Sequence, residues 1–72
     1  RIWLLGRAAE TIDTFIEAMK DLPHVMECYI ILGECDAILT VVVPDLDSYR
    51  KFQSTHLTKK NGITSIKTDL PS

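Results

Sequence analysis

Glycine and proline are scarce in this chain, three of each among 72 residues, and cysteine is scarcer still, at two. So little glycine leaves no glycine-rich loop that could cradle a phosphate. Two cysteines cannot build a disulfide scaffold, and Cys28 and Cys35 read as free thiols of a reducing cytoplasm. No stretch approaches the about 18 consecutive apolar residues that a membrane-crossing helix requires. No secretory signal opens the chain. Eight basic residues face ten acidic ones, and a net charge of −2 carries no electrostatic footprint for nucleic acid or an anionic membrane.

What is present is apolar. A 46% hydrophobic content is that of a globular domain, and it excludes a disordered chain. Seventy-two residues form one small domain, close to the lower limit for a self-sufficient core. The chain enters an apolar run, Ile2-Trp3-Leu4-Leu5, directly after Arg1. A start in mid-strand predicts that residues 1–72 are part of a longer protein.

Hydrophobic spacing predicts six elements. Residues 2–5 read as a strand. Ile12, Phe15, Ile16, Met19 and Leu22 recur every three or four residues, the stripe of an amphipathic helix that Pro23 ends. Residues 25–32 and 37–43 are two strands of a hairpin. Pro44-Asp45 breaks the second strand, with Asp45 as N-cap of a helix whose buried side takes Leu46, Tyr49, Phe52 or Gln53, and Leu57. Asn61-Gly62 supplies a left-handed termination, and residues 63–70 are the last strand. The order β-α-β-β-α-β predicts a ferredoxin-like α+β sandwich, a four-stranded antiparallel sheet with both helices on one face.

Such a sheet should alternate apolar and polar residues, one face dry and one wet. These strands do not. Residues 37–43 place Ala37, Leu39, Val41 and Val43 on one side, and Ile38, Thr40 and Val42 on the other. Residues 25–32 place Met26, Cys28, Ile30 and Leu32 opposite Val25, Tyr29 and Ile31. Helices cover one face only, so the surplus on the other predicts a second copy packed sheet against sheet, a homodimer.

The polar turn between the hairpin strands, Leu32-Gly33-Glu34-Cys35-Asp36, is the candidate site. Gly33 permits a sharp turn with uncovered amides, and Glu34 and Asp36 accept hydrogen bonds, a combination suited to an amino acid once a second chain closes the pocket. Catalytic readings are weaker. Cys35, expected to be exposed, has no histidine with a sequence-based reason to be beside it. Glu34 and Asp36, two apart on a tight loop, make a poor acid–base pair. His24, His56, Cys28 and Cys35 follow no zinc spacing, with Cys28 expected to face the core, so no metal and no cofactor is expected.

The ordered segments Leu22-Pro23-His24-Val25-Met26-Glu27-Cys28-Tyr29, Gly33-Glu34-Cys35-Asp36-Ala37-Ile38-Leu39 and Val42-Val43-Pro44-Asp45-Leu46-Asp47-Ser48-Tyr49 resemble the effector-sensing domain of the leucine-responsive/asparagine-responsive family of prokaryotic transcription regulators. Gly62-Ile63 and Lys67-Thr68 suit the same pattern. The resemblance implies sheet-mediated dimers, commonly four to a ring. It also implies an amino-acid effector bound between dimers near the turn, and an N-terminal helix-turn-helix domain that reads DNA, so that this segment itself touches neither nucleic acid nor membrane. Carried onto this sequence, the effector-binding residues are Gly33, Glu34, Cys35 and Asp36, with Thr64, Ser65 and Thr68 of the last strand. Cys35 stands where the family often has an aromatic residue, Lys60-Asn61 replace an apolar–Pro pair, and Pro71 interrupts a strand that generally runs on. Two other readings remain open: a structural oligomerisation module without ligand, and a small ferredoxin-like enzyme such as a heme-degrading monooxygenase or an isomerase.

Overall fold

Backbone hydrogen bonding joins four strands in the order β2-β3-β1-β4, all neighbours antiparallel, in a computed structural model that describes residues 1–70. The elements are β1 (Ile2–Leu4), α1 (Ala9–Met19), β2 (Val25–Ile30), β3 (Ala37–Val41), α2 (Leu46–His56), a short 3-10 helix (Lys59–Asn61) and β4 (Ile63–Ile66). This is the expected β-α-β-β-α-β order and the ferredoxin-like α+β architecture. Pro71, expected to interrupt the last strand, lies outside the described residues.

The helices form where spacing and caps place them. Phe15 and Met19 of the α1 stripe are fully buried and make the core with Ile2, Leu4, Ala37 and Ile63. Ile16, assigned to the same stripe, is exposed at its edge. Asp45 caps α2 by accepting the Ser48 backbone N–H at 2.7 Å, a charge-assisted bond that holds its carboxyl below the usual range. Phe52 is the buried anchor of α2, whereas Leu46, one turn before Tyr49, stays exposed. His24 and His56 flank the Phe52 ring, with centroids 5.7 and 5.2 Å from it.

The strands are shorter than their apolar runs. β4 stops at Ile66 instead of continuing to residue 70, and beyond it Lys67 pairs with Arg1, reciprocally at 2.9 Å. In β3 the expected parity holds, with Ala37 buried, Leu39, Val41 and Val43 half-buried, and Ile38, Thr40 and Val42 exposed. In β2 it does not. A register shift between Val25 and Glu27 leaves Met26 as an extra residue, so Val25 pairs with Val41 and joins Cys28 and Ile30 on the helix side. Cys28 points to that side as expected, yet it is exposed, on a strand at the edge of the sheet. Partial desolvation raises its thiol pKa and keeps it a poor nucleophile near neutrality.

The opposite face of the sheet carries no helix. Pairing puts Tyr29 beside Ile38, Glu27 beside Thr40, and Trp3 beside Ser65 on that face. Tyr29 and Ile38 are large apolar groups left open to solvent there, and the Tyr29 hydroxyl donates to Glu27 across two residues.

Candidate functional site

The connection from β2 to β3 is held in place by side chains of the first strand and the loop after it. Ile31 N–H donates to the Asp36 carbonyl at 3.0 Å, closing the base of the turn, and Asp36 N–H donates to the Ile2 carbonyl at 2.9 Å. The Trp3 indole N–H donates to the Glu34 carbonyl at 2.7 Å. Trp3 is the middle residue of β1, so its side chain leaves the sheet on the face opposite Ile2 and Leu4. From there it reaches the tip.

Asp36 is the keystone. Its Oδ2 accepts the Leu4 backbone N–H at 2.9 Å, substituting for a carbonyl in the β1–β3 ladder, and its Oδ1 accepts Arg7 Nε–H at 2.7 Å. The side chain is only 13% exposed, against 60% for Arg7. The Leu4 N–H first, and Arg7 second, stabilise the ionised form and lower the Asp36 pKa below the usual aspartate range.

One expectation about the turn is corrected by this geometry. Cys35 is not exposed: it is 3% accessible, and its Sγ lies 3.5 Å from the Ala37 carbonyl. The physical reason is parity, since Cys35 continues the row Ala37, Leu39, Val41 toward the helix side. Gly33 turns without a left-handed backbone, since Gly62 is the one described residue with positive φ. What Gly33 supplies is room: a Cβ built there meets nothing within 4 Å. Gly33→Ala is therefore expected to be neutral or to stabilise by up to about 1 kcal/mol through the unfolded chain. A loss above that size in urea denaturation would mean the turn needs glycine after all.

Glu34 and Asp36 are thus brought against Trp3, Leu4 and Arg7, with Ser65 paired to Trp3 from the β4 side. Thr64 is the unpaired residue of a bulge between the Trp3↔Ser65 and Leu4↔Ile63 pairs, and is exposed. Thr68 is elsewhere. It follows Lys67, which pairs with Arg1 at the other end of β1, and its hydroxyl bonds that of Tyr49. It borders an apolar cavity of about 660 Å³ between α2 and the sheet, whose lining includes Leu39, Val41 and Leu57 and none of the turn residues. Of the expected set, Glu34 and Asp36 bond β1 and the loop after it, Ser65 is linked to the turn only through Trp3, and Thr68 stands apart. Trp3 and Arg7 were missed, because an apolar strand residue and a loop cation give no signal without knowledge that β1 lies beside β3. Among the described residues no group of three or more His, Cys, Asp or Glu could hold a metal ion. None of the described helices is long and apolar enough to cross a membrane.

Comparison with known proteins matches residues 1–70 to the family described as the Lrp/AsnC ligand binding domain. The chain belongs to that family. The Lrp/AsnC domain here is 36% identical over 61 residues to the transcriptional regulator AzlB of Bacillus subtilis, covering 85% of this chain and 39% of that protein. It is 42% identical over 53 residues to the Bkd operon transcriptional regulator of Pseudomonas aeruginosa, covering 74% and 35%. It is 30% identical over 61 residues to the leucine-responsive regulatory protein of Escherichia coli K12, covering 85% and 37%. The chain thus spans less than two fifths of the length of these relatives. All three carry the names of regulators, which favours the regulatory reading of the turn over the enzymatic one.

Proposed function

We propose that this Lrp/AsnC domain senses a small effector, an amino acid, and converts its binding into a change of assembly. Residues 1–72 act as a single sensing and oligomerisation domain in the C-terminal part of a longer cytoplasmic regulator, whose DNA-reading helix-turn-helix domain precedes it. The domains pair through their helix-free sheet faces, and the dimers assemble further, as a tetramer of dimers. The effector lies between dimers against Gly33, Glu34 and Asp36, with Thr64 and Ser65 alongside. Cys35 shapes the turn from behind, whereas Thr68, bonded to Tyr49, stands apart from it.

One observation carries this reading: Trp3 belongs to both places. Its ring lies on the uncovered sheet face, and its N–H holds the Glu34 carbonyl of the turn. An effector that shifts the turn therefore acts on a residue of the face through which copies pair. A ligand that binds one assembly better than another shifts the population toward it, typically by about 1–3 kcal/mol of coupling.

Titrating the purified protein calorimetrically with each of the twenty amino acids, with sedimentation in parallel, tests the proposal. The expected result is heat of binding from one or a few of them, with a change in sedimentation coefficient at the same concentrations. A stable oligomer that binds no amino acid would overturn the sensing role and leave a purely structural module.

A further inference from the structure

We propose that Arg7 is the residue that takes the carboxylate of the effector, and that the Asp36 carboxylate, with both oxygens engaged, positions Arg7 for it. The inference rests on the amino-acid reading above and assigns its charge recognition.

An α-amino acid brings an ammonium and a carboxylate, and the site must answer each with the opposite charge. The turn offers two acidic side chains. Asp36 is engaged through both oxygens, with Leu4 N–H and Arg7 Nε, and is mostly covered. Glu34 makes no side-chain bond among the described residues, since its one contact is through its carbonyl to Trp3, and it is exposed. Glu34 is therefore the acceptor left for the ammonium. A carboxylate brought next to Glu34 and Asp36 is repelled unless a cation stands there, and Arg7 is the basic side chain that pairs with the turn.

The way Arg7 is held suits this role. Only its Nε is bound, to Asp36 Oδ1; both Nη groups make no hydrogen bond among the described residues, and the side chain is largely exposed. A guanidinium tethered at Nε keeps a planar pair of Nη donors, a match for the two oxygens of a carboxylate. The tether also fixes its direction, because Asp36 is itself locked into the sheet by Leu4 N–H, so less side-chain freedom is lost when a ligand binds. Arg7 and Glu34 then present one cation and one anion on the same rigid frame, an arrangement selective for a zwitterion over an amine or an acid alone.

The test is a cycle between protein and ligand. The amino acid that binds the wild-type chain most tightly among the twenty, and its carboxamide, are titrated against wild type, Arg7→Gln and Arg7→Lys, with urea denaturation confirming that each variant is folded. Direct contact predicts that Arg7→Gln weakens the amino acid roughly 10–100-fold, the scale of one charge-assisted contact, and leaves the carboxamide within about threefold of wild type. Arg7→Lys, with the charge but not the fork, is expected to retain part of the preference for the acid. If Arg7→Gln keeps the wild-type preference, or loses acid and carboxamide alike, the assignment is overturned and Arg7 merely braces the turn. Failure of the wild type to bind any amino acid overturns the effector reading as well, and is seen before any substitution is made.

Discussion

Replacing Asp36 by alanine is expected to destabilise the domain by about 2–3 kcal/mol, the cost of a partly buried backbone N–H left without an acceptor plus a lost ion pair. The argument lies in the position of the two bonds. Leu4 is a core residue of β1, and its N–H points into the β1–β3 seam, where the Asp36 carboxylate and not a carbonyl receives it. Without that oxygen, water must enter the seam or the strands must shift. In a domain of this size each 1 kcal/mol moves the melting temperature by about 4–8 °C, so a fall of roughly 10–20 °C is expected. Asp36→Asn separates the two contributions. Its side-chain oxygen still accepts from Leu4, while the charge that faces Arg7 is gone, so it should cost only about 1 kcal/mol. The same bonds set a pH dependence. The folded-state pKa of Asp36 is depressed below its unfolded value, so its stabilisation is complete above about pH 4, the ordinary aspartate range, and is lost as pH falls through the lower folded value. Thermal melts from pH 6 down to pH 2 should therefore show a smaller acid loss in Asp36→Asn than in wild type. Equal acid sensitivity in the two proteins would mean that other carboxylates govern the loss.

Where a feature depends on local pattern, it was readable in the chain. The α1 stripe named Phe15 and Met19, the alternation through residues 37–43 placed each side chain on its correct face, and Pro44-Asp45 marked the cap of α2. What was not readable depends on register. The extra residue at Met26 reverses Val25 relative to the simple alternation, and nothing in a run of apolar side chains says where a ladder will skip. Cys35 looked like a loop residue because the polar residues around it mask the parity it shares with Ala37. Asp36 looked like a free acceptor because its partners, Leu4 N–H and Arg7, lie about thirty positions away and meet it only after β1 is inserted between β3 and β4. The turn itself could be found from composition. Which of its groups remain available for a ligand could be decided only from the bonds already made.

Gly62→Val is expected to cost about 2–4 kcal/mol, for reasons that combine backbone and packing. Gly62 has φ 86° and ends the 3-10 helix in the left-handed region, a conformation that a β-branched residue rarely adopts. A Cβ there would also lie 3.3 Å from the Thr11 carbonyl oxygen and 3.5 Å from its methyl group, so α1 would have to give way. Neither strain can be relieved cheaply, because the Gly62 carbonyl accepts Leu5 N–H at 2.8 Å and the next residue, Ile63, is in the core. Gly62→Ala should lose less, about 1–2 kcal/mol, and Gly62→Asn should lie nearest the wild type in backbone cost, since asparagine tolerates the left-handed region. The graded order Val, Ala, Asn in urea midpoints is the expected outcome, and a valine variant within about 0.5 kcal/mol of wild type would refute it. The consequence reaches the candidate site. Gly62 fixes where β4 begins, and hence which residue of the Thr64–Ser65 bulge stands beside Trp3. A folded Gly62→Ala domain should therefore bind its amino acid more weakly than its modest stability loss alone would cause, although no atom of Gly62 belongs to the turn.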